Sequence, residues 1–238
     1  MNIKLTASLL ILVAVLANVG FTALGSIFDY PDVLDEPAAA VLADFRANET
    51  AISLWFSVLA LSAALFAPIA LGVRRLSSAR TMRIALPVGI AAAVVQVIGL
   101  LRWPILVPGY ASDAAGADAG VAAAARDSFT TASDILGTAI GETLGYLLTA
   151  TWTVLVLVAL GRRYAGRSFQ VLGGVAAALV LVGVLSPLGL PVVDSANFLG
   201  YILWCVWLIA FAVVILVHER RAGASRSATS SNRRAVTS

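Results

Sequence analysis

The hydrophobic positions of this chain do not alternate and do not recur every three or four residues over a polar background. They come in unbroken runs of roughly 20 residues, the length needed to span the hydrocarbon of a bilayer. Six runs stand out, at residues 5–27, 51–73, 84–107, 135–161, 169–187 and 197–217. Lipid cannot satisfy an open backbone, and the runs lack the short alternation of barrel strands, so each is predicted to be a helix. The fold class that follows is all-α: a polytopic bundle of six transmembrane helices occupying 1–218, followed by a disordered basic tail at 219–238.

The connections carry pattern as well. In "FDYPDVLDEPAAAVLADFRANET", Leu34, Ala38, Val41, Leu42 and Phe45 share one helical face, with Asp35 placed to cap and Pro37 suited to the first turn. A short amphipathic helix is predicted there. An alanine-rich helix is predicted over 120–129, after which Ser133 or Asp134 is expected to cap the fourth span. Prolines in "FDYPD", "RWPILVPGY" and "SPLGLP" read as stops at the ends of spans one, three and five. The tail has no apolar periodicity, which predicts disorder and attraction to anionic lipid headgroups.

Composition supports this picture: 60% of residues are hydrophobic, 12% are charged, and mean hydropathy is +0.94. Charge then orients it. The loops at 74–83 and 162–167, Lys4 and the tail hold 13 of the 16 Lys and Arg, against Glu219 alone, a net of +12. The other side holds eleven acids against Arg46 and Arg126, a net of −9; Arg102 and Glu142 cancel, and the total is the formal +3. The positive-inside rule places both termini in the cytoplasm and the loops around Asp35 and Asp118 outside. A basic pI of 9.4 is thus an orientation signal with no patch for nucleic acid. Lys4 and the small residues of "TALGS" loosely resemble a signal peptide, but the run is longer than a signal core and fits an uncleaved span better.

Candidate chemistry is sparse. Glu142 sits in the fourth run, about 10 Å below the outer interface at the helical rise per residue. Arg102 falls in the same leaflet at the end of the third, and an isolated buried charge is expensive, so the two are expected to pair between helices three and four. Thr138, Glu142, Tyr146, Thr149 and Thr153 make a polar stripe at α-helical spacing. Beside it Gly137, Gly141 and Gly145 make the small-residue stripe that lets membrane helices approach. Asn18, Trp103, Asn197 and Tyr201 add polar groups to the outer halves of other spans, and Gln96 lies near mid-membrane. Together they predict a polar pocket opening outward between helices one, three, four and six, able to take a lipid or small-molecule ligand. Packing alone also explains such stripes, and Trp and Tyr at a membrane boundary commonly anchor the interface.

No catalytic set, metal site or cofactor is predicted. His218, the single histidine, lies at the cytoplasmic edge, Cys205 is alone in the last span, and phosphate-loop, HExxH and GxSxG patterns are missing. "NET" at Asn48 fits a glycosylation sequon that matters only in a secretory pathway. The leading reading is a non-enzymatic membrane protein. Its rivals are a membrane-embedded enzyme, with Glu142 as acid or base and Arg102 holding an anionic substrate group, and a small proton-coupled transporter.

Four strings, "FDYPDVLDEPAAAVLADF", "GLLRWPILVPGYA", "GETLGYLLTATW" and "PLGLPVVDSANFLGYILW", carry a resemblance over nearly the whole chain. It resembles the bacterial multi-pass membrane proteins grouped as a domain of unknown function, the family numbered 4386. The resemblance implies six helices in a bacterial plasma membrane, and it carries no activity and no catalytic residue.

Overall fold

The computed structural model describes residues 2–236, with the side chains of 163 and 222–236 outside that description. Eight α-helices follow one another: α1 Ile3–Phe28, α2 Ala38–Ala47, α3 Glu49–Val73, α4 Arg80–Ile105, α5 Val107–Ala114, α6 Ala119–Ala132, α7 Gly145–Val182 and α8 Pro191–Val236. Between α6 and α7 the segment Ser133–Leu144 is wound as a π-helix. Among the described residues there is no strand.

Among the described residues six stretches are long and apolar enough to cross a membrane: Ile3–Phe28, Glu49–Leu76, Arg80–Ala114, Ala119–Arg162, Tyr164–Leu188 and Pro191–Arg221. The third and fourth outrun the sequence expectation. Pro104 lies inside α4, and the chain bends at Leu106 and resumes as α5. A proline that removes one hydrogen bond kinks a helix whose neighbours hold it, so the predicted stop is a bend. The cap expected at Ser133 or Asp134 is not made, because the helix has already started at Asp118. That carboxylate accepts from the N–H groups of Gly120 and Val121 at 2.8 and 3.0 Å, and the alanines propagate the helix into span four. Asp35 likewise caps nothing in α2; it ends a 3-10 turn over Asp32–Asp35. Within α7, Gly161 and Gly166 take φ of 66° and 81°, the left-handed region that turns span four into span five.

The helices close a ring: α1 packs on α3, α3 on α4, α4 on the π segment and α7, and α8 on both α7 and α1. Exposed Leu54, Leu61, Val158 and Val213 stud the outer surface, as a bundle bathed in lipid requires. Two cores result. One runs through the body of the bundle around Trp152, Trp207 and Phe211. The other lies at one end, where the predicted face of α2, Val41, Leu42 and Phe45, covers Trp103 together with Phe28, Phe56 and Phe129. We call this the capped end and the opposite one, with loops 74–83 and 162–167, the basic end. The α8 backbone continues to Val236, whereas the side chains on which the disordered-tail expectation bears lie mostly outside the described residues.

Candidate functional site

Side chains on a helix lean toward its N-terminus, so Arg102, near the C-terminal end of α4, points back into the bundle. It is 6% exposed. Its Nη1 donates to the Gly99 carbonyl at 2.6 Å, and its guanidinium lies flat against Gly137, where an added Cβ would fall 2.7 Å from Cζ. The glycine stripe is the reason it fits. Gly141 meets Gly99 backbone to backbone, with an added Cβ on Gly99 only 2.7 Å from the Gly141 Cα, and Gly145 faces Gln96. These contacts draw the fourth span against α4 and leave the guanidinium a berth at its edge.

The π winding changes the predicted stripe. Its bonds run from i to i+5, so the angular spacing of a regular α-helix does not hold across this segment. Glu142 lies within electrostatic range of Arg102. The two groups feel each other's charge, but among the described residues no nitrogen–oxygen approach within 4.0 Å joins them. The expected contact ion pair is thus not formed. The Arg102 Nε is buried without a hydrogen-bond partner.

Other groups complete the cluster. Tyr30, from the α1–α2 connection, reaches into electrostatic range of both Arg102 and Glu142. Burial first, and the Glu142 carboxylate second, push its hydroxyl above the ordinary phenol value, while Arg102 pulls the other way. Tyr146 and Tyr201 stack edge to face at 5.8 Å, both within range of Glu142, as is Asp194 at the start of α8. Asn197 donates to the Val180 carbonyl at 2.9 Å and shares with Tyr146 the surface of Gly183. Deeper, below Tyr201, Thr149 accepts from Gln96 at 3.2 Å. Thr153 accepts from the Trp204 indole at 2.9 Å. Beyond it, toward the basic end, come buried Val156, Leu157, Leu208 and Phe211.

Of the predicted site residues, the structure brings Arg102, Glu142, Tyr146, Asn197 and Tyr201 into one neighbourhood. Asn18 stands apart, donating to its own helix at the Ala14 carbonyl, 2.7 Å away. Trp103 is turned into the aromatic core and 0% exposed, so it does not anchor the chain at an interface. Its ring lies 5.2 Å from the Arg102 guanidinium carbon. Tyr30 and Asp194 are the two members that the apolar periodicity of the spans could not find, since Tyr30 lies in the α1–α2 connection and Asp194 in the first turn of α8, ahead of its apolar run.

Fold and site together define an all-helical, multi-pass membrane protein with a charged cluster near one end of the bundle. The chain belongs to the family described as a domain of unknown function (DUF4386), which its residues 5–212 match. No match was found among curated proteins or among solved structures.

Proposed function

We propose that this is a non-enzymatic protein of a bacterial plasma membrane, with both termini cytoplasmic, that holds a small molecule or lipid through an oxygen placed on Arg102. The observation that carries this reading is the buried guanidinium whose Nε has no partner and whose nearest carboxylate stops short of contact. A buried charge left in that condition costs several kcal/mol, and an anionic or carbonyl oxygen from a ligand would recover it. Glu142, flanked by Tyr30, Tyr146 and Tyr201, then selects for a ligand that also offers a donor. The polar stripe of α7 ends at Thr153, and the largely apolar packing beyond it around Val156, Leu208 and Phe211 favours a site open at one end over a path through the membrane. Orientation rests on the 13 of 16 basic residues gathered at one end of the bundle.

Mass spectrometry on the purified protein and on Arg102→Met tests the site. A bound species present in the first and lost in the second is expected; identical spectra would remove the proposal. For orientation, an impermeant thiol reagent in intact cells should label Ser112→Cys and spare Ser78→Cys, and the reverse would invert the topology.

A further inference from the structure

Besides the buried Arg102 and Glu142, the capped end carries eleven acids and two basic residues, Arg46 and Arg126. Scattered among acids, each would be expected to take the nearest carboxylate. Instead both line one groove of about 380 Å³ between α2, α5 and α6. Its floor is nearly all methyl groups, from Ala43 and Ala47 on α2 and Ala111 and Ala114 on α5. Among the described residues neither guanidinium has an acidic partner, and the Arg126 Nε is buried with no hydrogen-bond acceptor. Arg46 has a local explanation, since it lies in the last turn of α2, where a cation suits the helix dipole. Arg126 has none, being in the middle of α6.

We propose that this groove binds a phosphate group, carried on an anionic lipid whose glycerol and acyl carbons lie along the alanine floor. Two guanidinium forks facing one cleft match the several acceptor oxygens of a phosphate better than a single carboxylate does. Position supports the lipid as carrier, because α5 and α6 are continuous with spans three and four, so the groove opens where those spans leave the bundle. The surrounding acids repel anions from the exposed surface around the groove and set its two guanidinium groups apart. Nothing in this site involves Arg102 or Glu142.

The test uses the full chain in phosphatidylcholine vesicles doped with an anionic phospholipid bearing a photoreactive acyl chain, with labelled peptides mapped by mass spectrometry. Label is expected on peptides spanning 39–47 and 111–126, and also at the basic end, where arginine clusters attract the same lipid. Arg46→Gln with Arg126→Gln should lower labelling of the groove peptides about tenfold, as loss of charge-assisted hydrogen bonds predicts, and leave the basic end unchanged. If labelling falls everywhere, the fold has been lost, and Arg46→Lys with Arg126→Lys decides: retained groove label supports the site and its loss overturns it. Groove label that persists in the glutamine variant, or never occurs, also overturns it. Competition by inorganic phosphate would show that the cleft takes the free ion as well, and failure to compete would assign it to the lipid headgroup.

Discussion

Trp103 and Trp207 are both 0% exposed, yet their surroundings differ in kind. Trp103 collects rings from four helices and a connection: Phe56 stacked at 4.6 Å, Phe28 edge-on at 5.2 Å, and Phe45, Phe129 and Tyr30 around them. Its covers, α2 and α6, are amphipathic, and α2 takes its place by burying Val41, Leu42 and Phe45. Trp207 is held by Phe169 and Phe211 at 5.3 Å and by Trp152 at 6.0 Å, all on spanning helices, and its indole stands over Gly173. Lipid tails are as apolar as leucine, so little hydrophobic driving force draws those spans together; close packing over small residues does. The capped end is thus assembled in the manner of a soluble domain, and the bundle body in the manner of a membrane protein.

The largest expected effect follows from that division. Trp103→Ala removes the ring common to every cover and should cost about 3–5 kcal/mol. It should also release α2, seen as faster hydrogen exchange over 38–47 in detergent. Trp207→Ala should cost a similar amount and leave exchange in α2 unchanged. If both substitutions loosen α2 equally, the two cores are one cooperative unit and the contrast fails.

Next in size is the close approach of α4 and the π segment. A side chain at Gly99 meets the Gly141 backbone, which cannot rotate away, so Gly99→Val should cost about 1–3 kcal/mol through overpacking. Gly174 has nothing within 4 Å of an added Cβ, and Gly174→Ala should be neutral or gain the few tenths of a helix former. Thermal unfolding of the two variants in one detergent measures the difference; equal midpoints would mean that the glycine contact is not tight.

This contrast also explains what could be read before the structure was known. Six spans, the face of α2 and the glycine stripe were legible because each is a local periodicity written in consecutive residues. The bend at Pro104 was not, since whether proline stops a helix or kinks it depends on neighbours that hold the far side. Nor was the fate of Trp103, because "RWP" at a span end suits an interface anchor and a buried plug equally, and only the fold of α2 decides. The Arg102–Glu142 contact was expected from shared depth, assuming a regular α-helix; the π winding of residues 133–144 resets the angular positions on which that assumption rests.

The charged pair sharpens the comparison further. A contact ion pair would make Arg102→Met cost about 3–5 kcal/mol by orphaning the carboxylate. With the groups near but apart, Arg102→Met removes an incompletely partnered charge and should be neutral to stabilising by up to about 4 kcal/mol, and the coupling in a cycle with Glu142→Gln should be about 1 kcal/mol, low in the range for interacting neighbours. Denaturation of the four proteins measures it. A coupling of several kcal/mol would show that the two close into a strut, and Arg102 would then be explained by stability alone.

The smallest effect separates two indoles within the bundle body. Trp204 donates to Thr153 at 2.9 Å, whereas the Trp207 N–H is buried with no partner. Thr153→Val keeps the shape of the side chain and removes the acceptor, leaving Trp204 in the condition Trp207 already endures. Hydrogen bonds between membrane helices average about 0.6 kcal/mol, because the unfolded reference in the membrane also finds partners, so a loss of roughly that size is expected. Thr153 also donates to the Thr149 carbonyl at 2.8 Å, a bond within its own helix whose removal frees an oxygen already engaged by the helix, and it should add little. Trp204→Phe in the valine background then isolates the indole term: if Thr153→Val costs as much with phenylalanine at 204 as with tryptophan, the bond contributes nothing and the polar chain from Gln96 to Trp204 is packing alone. A cost confined to the tryptophan background would show that this chain helps to fix span six against span four, below the charged cluster.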